Sequence, residues 1–288
     1  MEFENVFYKH LTPLSFLKRS AAVFPNKTAV IYKDRSYSYA ELSGRANQLA
    51  SSLMAKNIVK GDRVAFLSPN IPELLEAHYG VPLAGEVLVA INIRLSSQEI
   101  AYIVNHSEAK ALFVDSEFAH LIEPIVPELS TVKYYITIED ESTRTKLPGE
   151  SYHEFLRAGS QEEVPVSLED ENGMLSINYT SGTTGKPKGV IYTHRNAYLN
   201  CLGEVIETQM NSSSIYLWTL PMFHCNGWCF TWAVTAVGGT HICLRRVDPA
   251  LVYKTIEELG VTHLCGAPPV HITLAEYMRT NHLKFSNK

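Results

Sequence analysis

Val87-Leu88-Val89-Ala90-Ile91 is a continuous run of five apolar residues. A strand made from it has no polar face to turn to water, so it must be covered on both sides. Similar runs recur, separated by stretches of helical period. Thr28-Ala29-Val30-Ile31-Tyr32 reads as a strand closed by the turn Asp34-Arg35-Ser36. Leu42, Ala46, Leu49, Ala50, Leu53 and Met54 then recur at helical spacing. Lys60-Gly61-Asp62 leads into the strand Arg63-Val64-Ala65-Phe66-Leu67, which Pro69-Asn70 ends. A helix is expected from Pro72, where a missing N–H costs little in the first turn. Ser96-Ser97-Gln98-Glu99 has the form of a capping box that opens a helix to Asn105. Ala111–Val114 and Lys133–Ile138 read as further strands. Strands that alternate with helices predict an α/β fold of parallel sheets covered by helices.

Residues 139–172 interrupt the pattern with Glu139-Asp140-Glu141 and Glu162-Glu163, around a short helical stretch from Tyr152 to Ala158. This reads as a polar connection between two lobes, its acidity a solvated face. Beyond it come a strand at 173–179, a loop, a strand at 190–193 and a helix opening at His194-Arg195-Asn196. Three more strands are expected near 215–220, 241–245 and 261–265. With 288 residues there is chain enough for two lobes. The expected division is 1–172, a first α/β lobe with the acidic connection, and 173–288, a second lobe carrying the loop.

Twenty-five basic and 30 acidic residues give a net charge of −5, which offers no basic stripe for nucleic acid. Cys201, Cys225, Cys229, Cys243 and Cys265 are odd in number and form no Cys-x-x-Cys pair, so reduced thiols in an intracellular compartment are expected. The start Met1-Glu2-Phe3-Glu4-Asn5 lacks the basic and apolar segments of a secretory signal. The longest apolar run, around Trp228 to Val237, is too short to span a bilayer. Lys284-Phe285-Ser286-Asn287-Lys288 is not a Ser-Lys-Leu peroxisomal signal. The expected location is cytoplasmic or peroxisomal, and the oligomeric state is left open.

The loop between the strands at 173–179 and 190–193 is Tyr179-Thr180-Ser181-Gly182-Thr183-Thr184-Gly185-Lys186-Pro187-Lys188-Gly189-Val190. Gly182, Gly185 and Gly189 permit close backbone approach. Thr180, Ser181, Thr183 and Thr184 add hydroxyls, and Lys186 and Lys188 add charge. Successive N–H groups in such a loop can form an anion-binding nest with no helix behind them. It is not the common nucleotide loop, because Thr180 and Pro187 stand where that loop requires glycine and a hydroxyl residue. The alternative is a Gly/Thr hairpin with no ligand.

Thr180 to Gly189 resembles the signature of the adenylate-forming, AMP-binding superfamily. Pro221-Met222-Phe223-His224-Cys225-Asn226-Gly227-Trp228 resembles that family's acyl-pocket segment, and Gly266-Ala267-Pro268-Pro269-Val270 is a third similar stretch. The nearest flavour is that of plant acyl-activating enzymes of the short-chain acyl-CoA or benzoate–CoA ligase type. The resemblance implies the front part of the large N-terminal domain of such an enzyme. It implies ATP, Mg²⁺ and coenzyme A, and a small or medium carboxylic acid activated through an acyl-adenylate. It assigns Thr180, Ser181, Gly182, Thr183, Thr184, Gly185 and Lys188 to the ATP phosphates, and Thr184 to Mg²⁺. Lys188 and His224 are the implied catalytic residues, and His224, Asn226 and Trp228 the implied acyl-site residues. Three readings of His224 stand open: beside the carboxylate, in the core, or a metal ligand with Cys225 and Cys229, which lack a fourth ligand nearby. Phe230 and Trp232 are expected in the core.

The adenine-binding strand, ribose aspartate, hinge and catalytic-lysine domain that the resemblance leads one to expect have no counterpart here. The chain is therefore expected to be a truncated ligase that does not turn over alone. The alternative is a non-catalytic fragment that acts as a binding or interaction protein.

Overall fold

The computed structural model describes residues 9–139, 145–180 and 185–286. Its strands form two sheets. One has five strands: β1 (Thr28–Tyr32), β2 (Arg35–Ser38), β10 (Ile215–Leu217), β11 (Thr240–Ile242) and β12 (His263–Leu264). Their order is β12-β10-β11-β1-β2. The other has seven: β3 (Arg63–Leu67), β4 (Val87–Ile91), β5 (Ala109–Asp115), β6 (Tyr134–Ile138), β7 (Glu150–Ser151), β8 (Met174–Thr180) and β9 (Lys188–Thr193). Their order is β7-β6-β5-β3-β4-β8-β9. All pairings are parallel except β1 with β2 and β8 with β9.

Side chains on a strand alternate between faces, and β3 uses both. Val64 and Phe66 join a core with Leu42, Leu49, Leu74, Trp218 and Trp232. Ala65 and Leu67 join a second with Val89, Ile91, Ile100 and Val104. Helices Tyr39–Ala55 and Pro72–Leu83 supply cover on the first face, and helix Ser97–His106 on the other. All five residues of β4 are buried, as the apolar run requires. Each large aliphatic side chain so buried contributes roughly 1.5–3 kcal/mol.

The sheets do not part at residue 172. β1 and β2 precede it yet pair within the sheet of β10 to β12, while β8 and β9 follow it and extend the sheet of β3 to β7. One core cluster holds Val30, Phe113, Trp218 and Trp232 together, because these strands bury apolar side chains against the same helices.

Two other local readings also change. The connection after β1 is Lys33-Asp34, with Tyr32 paired to Arg35, so Arg35 and Ser36 belong to β2 rather than to a turn. Lys33 takes the positive φ of 54° that lets so short a connection close. In the stretch 139–172, Tyr152, Phe155 and Leu156 are buried. The Phe155 ring packs edge-on to Phe113 at 5.2 Å, and the Tyr152 hydroxyl donates to Glu76 Oε2 at 2.8 Å. The stretch is tied to the sheet through its aromatic residues, while Glu162 and Glu163 stay exposed. Asp140 and Glu141 lie outside the described residues.

Candidate functional site

β8 and β9 form an antiparallel hairpin in which Thr180 pairs with Lys188 and Tyr179 with Gly189. Thr180, Gly185, Lys186 and Lys188 are exposed at its open end. Ser181, Gly182, Thr183 and Thr184 lie outside the described residues. Gly185 has φ 115°, a backbone state that other residues avoid. Gly189 answers a different need: a Cβ there would come within 3.0 Å of Ile177 Cγ2 and 3.3 Å of the Tyr179 ring.

The second segment is bound to the same strand. Asn178 Nδ2 donates to the Phe223 carbonyl at 3.0 Å, and Asn226 Nδ2 donates to Ser176 Oγ at 2.9 Å. β8 therefore carries the candidate phosphate loop at its end and holds the residues on either side of His224 along its length. Asn70 anchors the approach to this segment. Its Nδ2 donates to the Trp218 and Leu220 carbonyls at 3.1 and 2.7 Å, and its Oδ1 accepts from Met222 N at 2.8 Å.

From Cys225 to Cys229 every φ is positive, between 50° and 65°. Four of the five are not glycine, and the left-handed region costs such residues roughly 1–2 kcal/mol each. A strained run of this kind persists only where its surroundings over-determine it. Here the Asn226 amide is fully buried against Ser176, and Thr231 Oγ1 donates to the Asn226 carbonyl at 3.1 Å. The turn leaves His224 exposed and turns Trp228 outward, 57% exposed. Asn226, by contrast, has no exposed surface. Phe230 and Trp232 are in the core, where Trp232 Nε1 donates to the His78 carbonyl at 3.1 Å. No group of three or more metal-ligating side chains is found among the described residues.

A cavity of about 430 Å³ lies between the hairpin and this turn, lined by Val190, Ile191, Tyr192, Asn196, Asn200, Cys225, Trp228 and Cys229. A cavity of about 450 Å³ under Gln161 to Val166 is lined by no residue of the hairpin or the turn. Only the first joins two of the segments singled out in the sequence. In the third, Thr219 Oγ1 donates to the Cys265 carbonyl at 2.6 Å, which fixes the chain just before Gly266. Ala267 then precedes helix Pro268–Thr280.

Gly227 is the tightest point of the turn. A Cβ on it would lie 2.4 Å from Cζ3 of Trp218. That ring is fully buried, stacked on His241 at 5.9 Å, and bonded from Nε1 to His241 Nδ1 at 3.1 Å. Burial holds the His241 imidazole neutral, its pKa lowered to about 3, so Nδ1 stays an acceptor. With the ring fixed, Gly227→Ala is expected to cost about 2–4 kcal/mol from overpacking and left-handed strain. Denaturant unfolding followed by tryptophan fluorescence checks this, and a loss under about 0.5 kcal/mol, the range of ordinary surface changes, contradicts it.

The sequence did not single out Asn70, Ser176, Asn178 or His106. Asn70 follows a proline at a strand end, a signal that any turn would give. His106 Nδ1 meets the Tyr179 hydroxyl at 2.8 Å at the root of the loop.

The family described as AMP-binding enzyme matches residues 17–287. The chain is 44% identical over 288 residues to 4-hydroxybutyrate–CoA ligase 2 of Metallosphaera sedula, covering 98% of this chain and 52% of that one. It is 41% identical over 271 residues to the peroxisomal benzoate–CoA ligase of Arabidopsis thaliana, covering 90% and 47%. Among solved structures, the N-terminal domain of FACL13 from Mycobacterium tuberculosis, inhibitor-bound, superposes with a TM-score of 0.85 at 28% identity, covering 96% of this chain and 68% of that one. The chain spans about half the length of the curated relatives it matches.

Proposed function

The chain belongs to the AMP-binding enzyme family, and on that premise we propose that it supplies the phosphate-binding and carboxylate-binding front half of an acid–thiol ligase. The observation that carries this reading is the double use of β8. One strand ends in the Gly/Thr/Lys loop, and its Ser176 and Asn178 hold the segment of His224. A phosphate chain and a carboxylate seated on these two segments would be held as neighbours, and such positioning lowers the barrier to their reaction.

In the proposed reaction a carboxylate oxygen bonds to the α-phosphorus of ATP, and the bond to the bridging oxygen breaks. The products are an acyl-adenylate and pyrophosphate. The thiol of coenzyme A then attacks the acyl carbon, AMP leaves, and the thiol proton passes to solvent. Thr180, Ser181, Gly182, Thr183, Thr184 and Gly185 would surround the phosphates with N–H and hydroxyl donors, and Lys188 would place a cation beside them. Bound Mg²⁺, assigned to Thr184, would supply further charge neutralisation. His224 would border the carboxylate, and Trp228 a wall of the acyl site. Asn226 would act indirectly, by holding the left-handed turn from within.

The proposed substrates are small or medium acids, aliphatic or aromatic, in keeping with relatives named for 4-hydroxybutyrate and benzoate. The proposed setting is the cytoplasm or the peroxisome, the compartment named for the Arabidopsis relative. No helix among the described residues is long and apolar enough to cross a membrane.

The test joins residues 1–288 to the part of the Metallosphaera ligase that lies beyond the matched region. This chimaera is expected to release pyrophosphate from ATP and Mg²⁺ when given acids between acetate and benzoate. The 288-residue chain alone, assayed in parallel, is expected not to turn over. Activity confined to very long-chain acids contradicts the substrate class. A folded chimaera with no acid-dependent release contradicts the reaction.

A further inference from the structure

We infer that Tyr102 and His106 are positioning residues that tether the two described ends of the β8–β9 connection to helix Ser97–His106, Tyr102 acting through Lys186 and His106 through Tyr179. The inference rests on the phosphate-binding reading given above. Its observations are four. The Lys186 ammonium lies 5.6 Å from the centre of the Tyr102 ring. The Tyr102 and His106 rings stack at 5.2 Å. His106 Nδ1 and the Tyr179 hydroxyl are 2.8 Å apart. The His106 and Tyr179 rings meet edge to face at 5.8 Å.

The loop needs such a tether. Thr180 and Lys188 form the last described pair of the hairpin, and Gly185, Lys186 and Pro187 lie beyond it, outside either strand. Gly185 and Lys186 must lose backbone freedom before their N–H groups can converge on an anion. β9 lies at the edge of its sheet, so among the described residues β8 pairs with it on one side and no strand stiffens it on the other.

The helix can bear the load because its own seat is firm. Ile100, Ile103 and Val104 are buried against the sheet. The Ser96–Glu99 capping box closes the first turn, with Ser96 N donating to Glu99 Oε2 at 2.9 Å. Tyr102 and His106 are four residues apart, so they stand one above the other, Tyr102 half-buried against the edge of that core and His106 exposed beyond it. One ring receives the loop and the next receives its root.

This arrangement divides the work of the two lysines. An ammonium over an aromatic face is attracted by the ring quadrupole. Lys186 is held at that face, whereas Lys188, two residues on, is the cation left for phosphate. Pro187 between them fixes one backbone dihedral and limits how far one lysine can move relative to the other.

The first measurement needs no ligand. Hydrogen–deuterium exchange of peptides covering 178–190 is followed in the 288-residue chain. Tyr102→Leu is expected to speed exchange there about two- to fivefold, the weight of one exposed cation–π contact. Tyr102→Phe keeps the ring face and is expected to keep the wild-type rate. Lys186→Met is expected to match Tyr102→Leu, and the double variant to be no faster than either single one. His106→Leu and Tyr179→Phe are expected to form a second non-additive pair. Additive effects in both pairs, or a Tyr102→Phe rate equal to that of Tyr102→Leu, would overturn the tether. The second measurement titrates inorganic pyrophosphate into the same proteins, with about two- to fivefold weaker binding expected for Tyr102→Leu. If pyrophosphate does not bind the wild-type chain, the phosphate reading fails, and the exchange series still decides the tether by itself.

Discussion

Replacing Lys188 with alanine is expected to slow acid-dependent pyrophosphate release by the chimaera about a hundred- to a thousandfold, the usual effect of removing one fixed donor from a site of developing charge. Lys188 opens β9 and is paired across the hairpin with Thr180. The ladder therefore fixes its backbone while its side chain stays exposed at the mouth of the loop. A lysine so placed is a compact point charge on a flexible stem. Its attraction to the phosphates grows as the bond to pyrophosphate stretches and negative charge collects on the leaving oxygens. Lys186→Met provides the internal control. It removes the same formal charge two residues away, but from a side chain held over Tyr102, and is expected to cost only about two- to fivefold. Steady-state rates at saturating ATP separate the two lysines. A Lys188→Ala loss no larger than the Lys186→Met loss would mean that charge at the loop matters only in bulk.

The sequence revealed those parts of this arrangement that depend on neighbours in the chain. β3 and β4 begin and end at the residues expected, because a short apolar run between turn residues has only one extended register. Helix Ser97–His106 starts where its capping box predicts, since the box is made within four residues. The hairpin around Thr180 to Lys188 follows from Pro187 and from the apolar segments on both sides.

What escaped depends on distant partners. Asn70 and Met222 are 152 residues apart in sequence, and neither marks the other. Asn178 and Phe223 are 45 apart, and Asn226 and Ser176 are 50 apart. Each of these asparagines would serve equally well in a surface turn. The run of positive φ from Cys225 to Cys229 was hidden for a different reason. Gly227 favours that conformation locally, but Asn226 and Cys229 are held in it by burial, and Asn226 also by its bonds to Ser176 and Thr231, partners that lie outside the turn. The expected division at residue 172 followed local polarity, which carries no information on which sheet a later strand will join. β8 follows the polar stretch and still pairs with β4.

Glu86→Gln is expected to stabilise the chain by up to about 5 kcal/mol above pH 8 relative to its effect at pH 4, the product of a pKa difference of about 3.5 and 1.36 kcal/mol per unit. Glu86 directly precedes β4 and is 1% exposed, and neither carboxylate oxygen has a hydrogen-bond partner among the described residues. Burial, with a smaller contribution from the negative charge of Asp62, raises its pKa from 4.5 to about 8. The proton is therefore bound more tightly in the folded chain than in the unfolded one. Below pH 4.5 both states hold it, and the group adds no pH dependence. Between 4.5 and 8 the unfolded chain releases the proton while the folded chain keeps it, so stability falls as pH rises. Above 8 the folded chain must bury an anion, and the loss is complete. Glutamine has nearly the same shape and does not titrate. Whatever its amide costs by lacking partners is the same at every pH and cancels when the two ends of the range are compared. The difference in unfolding free energy between wild type and variant, measured in urea from pH 4 to pH 9, should open across the window 4.5–8 and flatten beyond it. A pH-independent difference would mean that the Glu86 carboxyl reaches water or a cation in solution.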